Sequence, residues 1–181
     1  MKKLIVLSLV AVFVAFTSCS DDSEDPIVEV NGEISTFENV ELKLVDSDTE
    51  AYGVAFSTTT GLTYKRDEVT EDNVGDIDLA SFTNQAFIAF NSPDQDAVIK
   101  EVEGAKSTKI QMTNVEMTAE EFDAMEDDIL LKDQTVTDDN ESQPIDYKGV
   151  VLFETAEGKI GALKINLLNA ERISVDVKVI K

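Results

Sequence analysis

Cys19 is the only cysteine in a chain of 181 residues that contains no histidine. It has no second thiol for a disulfide and no imidazole to make it a catalytic thiolate. The same absence of histidine removes Ser-His triads, histidine zinc sites and imidazole acid–base chemistry. The eight glycines are scattered singly, and "TTTGLTYK" lacks the spacing of a phosphate-cradling loop. Carboxylate chemistry remains. A glycosidase needs two carboxylates about 5–10 Å apart, and 37 Asp and Glu leave that pair unselected. The densest hard-oxygen groups are Asp76 and Asp78 in "GDIDL", and Asp138 and Asp139 beside Asn140 and Glu141. On a strand, Asp76 and Asp78 share a face while Ile77 and Leu79 turn inward. Neither group has the spaced oxygens and central glycine of an EF-hand loop, and a solvated acidic face is the plainer account. No cofactor is expected, Ca²⁺ being the one candidate these oxygens offer. For sugar stacking there is no tryptophan; Tyr52, Tyr64 and Tyr147 supply the amphipathic rings, with Tyr64 beside Lys65 and Arg66.

What stands around Cys19 gives it a role. Lys2 and Lys3 precede "LIVLSLVAVFVAF" (4–16), apolar apart from Ser8, and then the small pair Thr17 and Ser18. This is the layout of a secretory signal with a small-residue cleavage site, and its apolar run is shorter than the roughly 20 residues of a membrane span. Behind the cysteine come Ser20, Asp21, Asp22, Ser23, Glu24 and Asp25.

A signal ending in small residues directly before a cysteine resembles the lipobox of bacterial lipoproteins, with Phe16 where Leu is usual. The acidic run Ser20–Asp25 resembles the surface-export signal of Bacteroidota lipoproteins. The resemblance implies that Cys19 becomes the lipidated first residue of an outer-membrane protein displayed at the cell surface. It divides the chain into a signal (1–18), a lipidated cysteine with an acidic tether (19–26) and a domain (27–181). Two or three acyl chains hold a protein stably where one does not. The tether from Ser20 to Pro26 spans at most about 25 Å, so the domain works close to its membrane.

Loss of Lys2 and Lys3 with the signal leaves 13 basic residues against 37 acidic ones, a formal charge of −24. Such a surface repels nucleic acid and anionic lipid, so the expected partners are the membrane through the anchor and an envelope protein or a glycan.

The elements that would position these groups are mostly strands. In "NVELKLVD", Val40, Leu42 and Leu44 alternate with Glu41 and Lys43. "YKGVVLFET", "KIGALKINLL" and "RISVDVKVI" are three strand-like runs joined by the short connectors "AEG" and "NAE". Leu163, Ile165 and Leu167 are expected on one face, as are Ile173, Val175, Val177 and Val179, which leaves Ser174 facing outward. "MTAEEFDAMEDDILLKD" breaks the pattern: Thr118 and Glu121 form a capping box ahead of Phe122, Met125, Ile129 and Leu130 at helical spacing. The fold class read from these signals is mainly β, a β-rich α+β chain with an antiparallel, sandwich-like meander and one helix near 119–131. Runs ending in "STTTGLTY", "DIDL" and "NSPD", with "VVLFETAEGKIGALKI" and "ISVDVKVIK", resemble a group of Bacteroidota lipoproteins of unknown function. That resemblance implies the fold and brings no active site.

The function expected from the sequence is non-catalytic: an envelope lipoprotein with a binding or assembly role. A glycan-binding accessory lipoprotein and a carboxylate-based glycoside hydrolase are the alternatives.

Overall fold

A computed structural model describes residues 28–31 and 33–181; the expected signal (1–18), Cys19 and the acidic run Ser20–Asp25 lie outside the described residues. The strands are β1 (Val28–Asn31), β2 (Ile34–Lys43), β3 (Ala55–Phe56), β4 (Thr63–Tyr64), β5 (Leu79–Ser81), β6 (Phe87–Ile88), β7 (Phe90–Asn91), β8 (Lys109–Gln111), β9 (Gln143–Pro144), β10 (Val150–Glu154), β11 (Ile160–Leu168) and β12 (Arg172–Ile180). The helices are α1 (Ala119–Ala124) and α2 (Ile129–Lys132). One antiparallel sheet has the order β1-β2-β12-β11-β10-β8, a second β4-β3-β5-β7, and a third pairs β6 with β9. The chain is mainly β, and the expected C-terminal meander is β10-β11-β12.

The large sheet is covered on both faces. On one, Phe37, Val40, Leu42, Val151, Phe153, Leu163, Val175 and Val177 pack against Phe56, Leu79, Ile88 and Phe90 of the smaller sheets. Phe37 meets Phe56 edge to face at 5.4 Å between ring centres. On the other, Ile34, Val150, Leu152 and Ala162 pack against Phe122, Met125 and Leu131 of the helical segment. Each large apolar side chain so withdrawn from water stabilises the fold by about 1.5–3 kcal/mol.

Two bulges set which residues reach these cores. In β2, Phe37 and Val40 both face inward although three positions apart, because Glu38 and Asn39 together oppose the single residue Asp176. Asn39 takes the left-handed conformation, φ 54°, that asparagine tolerates, and its N–H donates to Asp176 Oδ1 at 2.9 Å. In β11 the register shifts between Ile165 and Leu167. Leu163 and Ile165 stay in the core, but Leu167 pairs with Ser174 on the opposite face and is exposed. That corrects the expectation that all three share a face: strict alternation does not survive an inserted residue. Ser174, expected to face solvent, is buried, so its face is not a free surface.

The helix expected over 119–131 is two short helices. The capping box is present, Thr118 Oγ1 accepting from the Glu121 N–H at 3.1 Å and the Glu121 carboxylate from the Thr118 N–H at 2.9 Å. Phe122 and Met125 reach the core, but Met125 is extended and Ile129 points to solvent. Extending α1 would bring Glu126, Asp127 and Asp128 to a C-terminus whose dipole disfavours anions. A lysine from the sheet closes α1 instead: Lys178 Nζ, buried on β12, donates to the carbonyls of Phe122 at 2.8 Å and Met125 at 2.7 Å. It also lies 5.0 Å from the centre of the Phe122 ring. Burial pushes the Lys178 amine below its ordinary range.

Candidate contact surface

The acids singled out in the sequence do not form a site together. Asp76 closes a 3₁₀ turn, Val74–Asp76, and is partly exposed, whereas Asp78 is buried just ahead of β5. The two do not share a strand face as expected, because the strand begins only at Leu79. Asp78 Oδ2 accepts from the Thr58 N–H at 2.8 Å and the Thr58 hydroxyl at 2.6 Å, which pins the turn after β3. Burial raises its pKa against those two hydrogen bonds, with Glu157 and Lys106 within electrostatic reach. Glu157, which pairs with Lys106 across the surface, is shifted down by that hydrogen bond.

Asp138 is exposed and accepts weakly from the Ile110 N–H at 3.3 Å. Asp139 lies along β8, bonded through its backbone to Ile110 and Met112, and its Oδ2 accepts from the Thr113 hydroxyl. These bonds make Asp139 a structural partner of an edge strand. Among the described residues no three carboxylates come together in a group that could hold a metal ion.

The three tyrosines are each engaged by the fold. Arg172 lies 5.0 Å over the Tyr52 ring, donates to its hydroxyl at 2.8 Å, and has Nε 2.6 Å from Glu41 Oε1. The Tyr64 hydroxyl is 3.2 Å from the Thr60 hydroxyl, and the ring packs against a small cluster beneath β3. Tyr147 donates to the Val150 carbonyl at 2.9 Å and packs on the main core, and burial raises its pKa. An open groove of about 670 Å³ lined by Val69, Thr70, Glu71, Asp72, Glu101, Val102 and Glu103 carries four more acids.

The surface that stands out is apolar, at the end of the large sheet where β2 finishes and β12 begins. Leu44 N–H donates to Glu171 O at 3.0 Å, and Val45 N–H to Thr83 O at 2.9 Å. The segment Phe82–Ala89 is thereby fastened beside the β11–β12 turn. Its own geometry is local: Asn84 Oδ1 accepts from the N–H groups of Ala86 and Phe87, an Asx turn, and Thr83 Oγ1 donates to Ala89 O at 2.9 Å. The turn leaves the Phe82 and Phe87 rings 6.0 Å apart. Phe87 pairs with Pro144, and Ile145 follows, on the segment that leads into β10 at the same end of the sheet. Val45 (38%), Phe82 (42%), Ile145 (47%) and Leu167 (43%) keep large fractions of their surface in water. Four of the seven large apolar residues so exposed among the described residues therefore gather at one end.

Sequence reasoning missed this surface. Its strands are two residues long, too short to show a period. The usable signal was "SFTNQAFI", an asparagine turn flanked by two phenylalanines.

No family model, curated protein or solved structure matches this chain. Among the described residues no helix is long and apolar enough to cross a membrane.

Proposed function

We propose that this chain is a lipid-anchored protein of the outer membrane, displayed at the cell surface, that holds or contacts another envelope molecule and does not catalyse a reaction. The reading is carried by one observation, the order of the first 25 residues: Lys2 and Lys3, the apolar run 4–16, Thr17 and Ser18, Cys19, then Ser20–Asp25. A strand at the edge of the large sheet, β1, begins three residues after that acidic run, so little chain separates anchor from fold. Acyl chains on Cys19 would be the attachment, and the acidic run the export address.

Recovery of partners from intact cells tests the role. The anchored protein should bring down an envelope partner that the Cys19→Ala form does not. Equal recovery by both forms would separate the partner from the anchor and defeat the envelope-assembly reading. Glycan capture is the form of binding in which Tyr52, Tyr64 or Tyr147 would take part, and a glycan array with each replaced by Ala tests it.

A further inference from the structure

We infer that residues 114–136, the segment that carries α1 and α2, form a flap latched by Lys178 that lifts as a unit from one face of the large sheet while both sheets stay folded. The inference stands on the folded domain and does not depend on the reading of Cys19. Its first support is a closed neck. Met112 N–H donates to Asp139 O and Asp139 N–H to Ile110 O, each at 3.0 Å, so the chain leaves β8 and returns beside it. The buried Gln111 side chain grips both sides of that neck: its Nε2 donates to Thr113 O at 3.1 Å and its Oε1 accepts from the Thr137 N–H at 3.0 Å. Asn114, the first residue beyond the neck, has φ 52°, in the left-handed region where a chain turns sharply. A loop whose ends are fastened together can swing about them without disturbing the strands that carry it.

The second support is where the backbone bonds go. Among the described residues, the backbone–backbone hydrogen bonds made by 114–136 close within the segment, such as Phe122 N–H to Thr118 O at 3.0 Å and Lys132 N–H to Asp128 O at 2.8 Å. None of them reaches a strand. The layer on the opposite face of the large sheet is tied differently, through Lys43 N–H to Gly53 O at 2.7 Å and Val45 N–H to Thr83 O at 2.9 Å. That layer cannot lift without breaking backbone pairing; the flap can.

Side chains alone therefore hold the flap down. Phe122, Met125 and Leu131 cover Val150, Leu152 and Ala162 in a cluster separate from the main core. The segment has seven acids and no base between Glu116 and Asp128, and Lys164 of β11 pairs with one of them, Asp123. Lys132 of the flap pairs with Glu33 at 2.7 Å. Asp123 and Glu33 are exposed to water, so these two pairs contribute little. Lys178 is buried, and its bonds to Phe122 O and Met125 O are charge-assisted ones in a dry setting, which makes it the latch. Lifting the flap breaks both bonds and wets an apolar face, so the open form is a minor one, reached by local opening at less cost than unfolding the sheets.

Thiol trapping tests it. Two variants of the full chain, each with Cys19→Ala so that one thiol is present, place that thiol under the flap (Ala162→Cys) or in the opposite core (Val177→Cys), at positions that are equally buried. Under native conditions a maleimide should label the Ala162→Cys thiol about tenfold faster or more than the Val177→Cys thiol. Adding Lys178→Met should speed labelling at Ala162→Cys about tenfold or more, because the latch is gone. Hydrogen exchange on the unsubstituted chain gives a reading that needs no cysteine variant to fold: the amides of Phe122, Lys132 and Asp133 should exchange together, and faster than those of β10, β11 and β12. Equal labelling of the two thiols, no acceleration by Lys178→Met, or flap amides that exchange only as slowly as the strands would overturn the inference. So would fast exchange in α1 and α2 with slow labelling at Ala162→Cys, which would mean that the helices fray in place without lifting.

Discussion

Lys178 joins the helical segment to the sheet through two backbone carbonyls, and replacing it by Met isolates that role. The methionine keeps the apolar stem over Phe122 and removes the ammonium that donates to Phe122 O and Met125 O. A hydrogen bond to a charged group nets about 1.5–3 kcal/mol, so two such bonds set a ceiling of about 6 kcal/mol. Against that stands the cost of drying the ammonium, the first cause of its lowered pKa, and the Phe122 carbonyl retains its bond from the Met125 N–H. The expected net loss is about 2 kcal/mol, or about 4–8 °C in Tm for a domain of this size. The pH dependence has a definite sign. A lysine whose folded pKa lies below its unfolded value holds its proton less tightly when folded, so its contribution to stability grows as pH rises through the folded pKa toward 10.5. Thermal unfolding of both proteins at about pH 8 and about pH 10 should show the gap widening. A Tm difference under about 1 °C, or a gap that narrows with pH, would refute the anchoring role.

Three further outcomes follow from the packing and charge. Val175→Asp places an unpaired carboxylate among Val40, Ile165 and Val177 and should cost about 4 kcal/mol or more, read as a lowered urea midpoint; a loss under about 1 kcal/mol would contradict the two-layer core. Gly161→Ala puts a Cβ within 2.1 Å of the buried Phe153 ring across the strand pair and should cost about 1–3 kcal/mol, whereas unchanged stability would mean that the ring has room to move. Asp78→Asn keeps an oxygen for both Thr58 donors and removes the titration. Because burial raises the folded pKa of Asp78, wild type gains stability relative to Asp78→Asn as pH falls from neutral toward 3.8, and a difference independent of pH would count against the burial.

Long-period signals were legible in the sequence and short ones were not. The alternation of Val40, Leu42 and Leu44 and the three C-terminal runs show the large sheet, because nine- and ten-residue strands carry enough turns of a two-residue period to read. Leu167 and Ser174 were misplaced because one inserted residue, Asn166, reverses the facing of everything beyond it. β3 to β7 are two or three residues long, and their pairing is decided by side chains such as Thr83 and Asn84 binding backbone. The capping box at Thr118 was readable, but the end of α1 depends on Lys178, fifty-three positions beyond Met125, and no local pattern reports that. Asp78 looked like a surface carboxylate beside Asp76, and only Thr58, twenty residues away, turns it inward. The apolar end was hidden for the same reason, since Val45, Phe82, Ile145 and Leu167 are brought to the same end of the sheet only by tertiary pairing.

The most direct measurement is the mass of the N-terminal peptide released from the protein isolated from its own cell membranes. The account predicts that the chain begins at Cys19 and that this residue carries a diacylglycerol on sulfur, with or without a further acyl chain on nitrogen. A peptide that begins elsewhere, or an unmodified Cys19 thiol in membrane-derived protein, would contradict it.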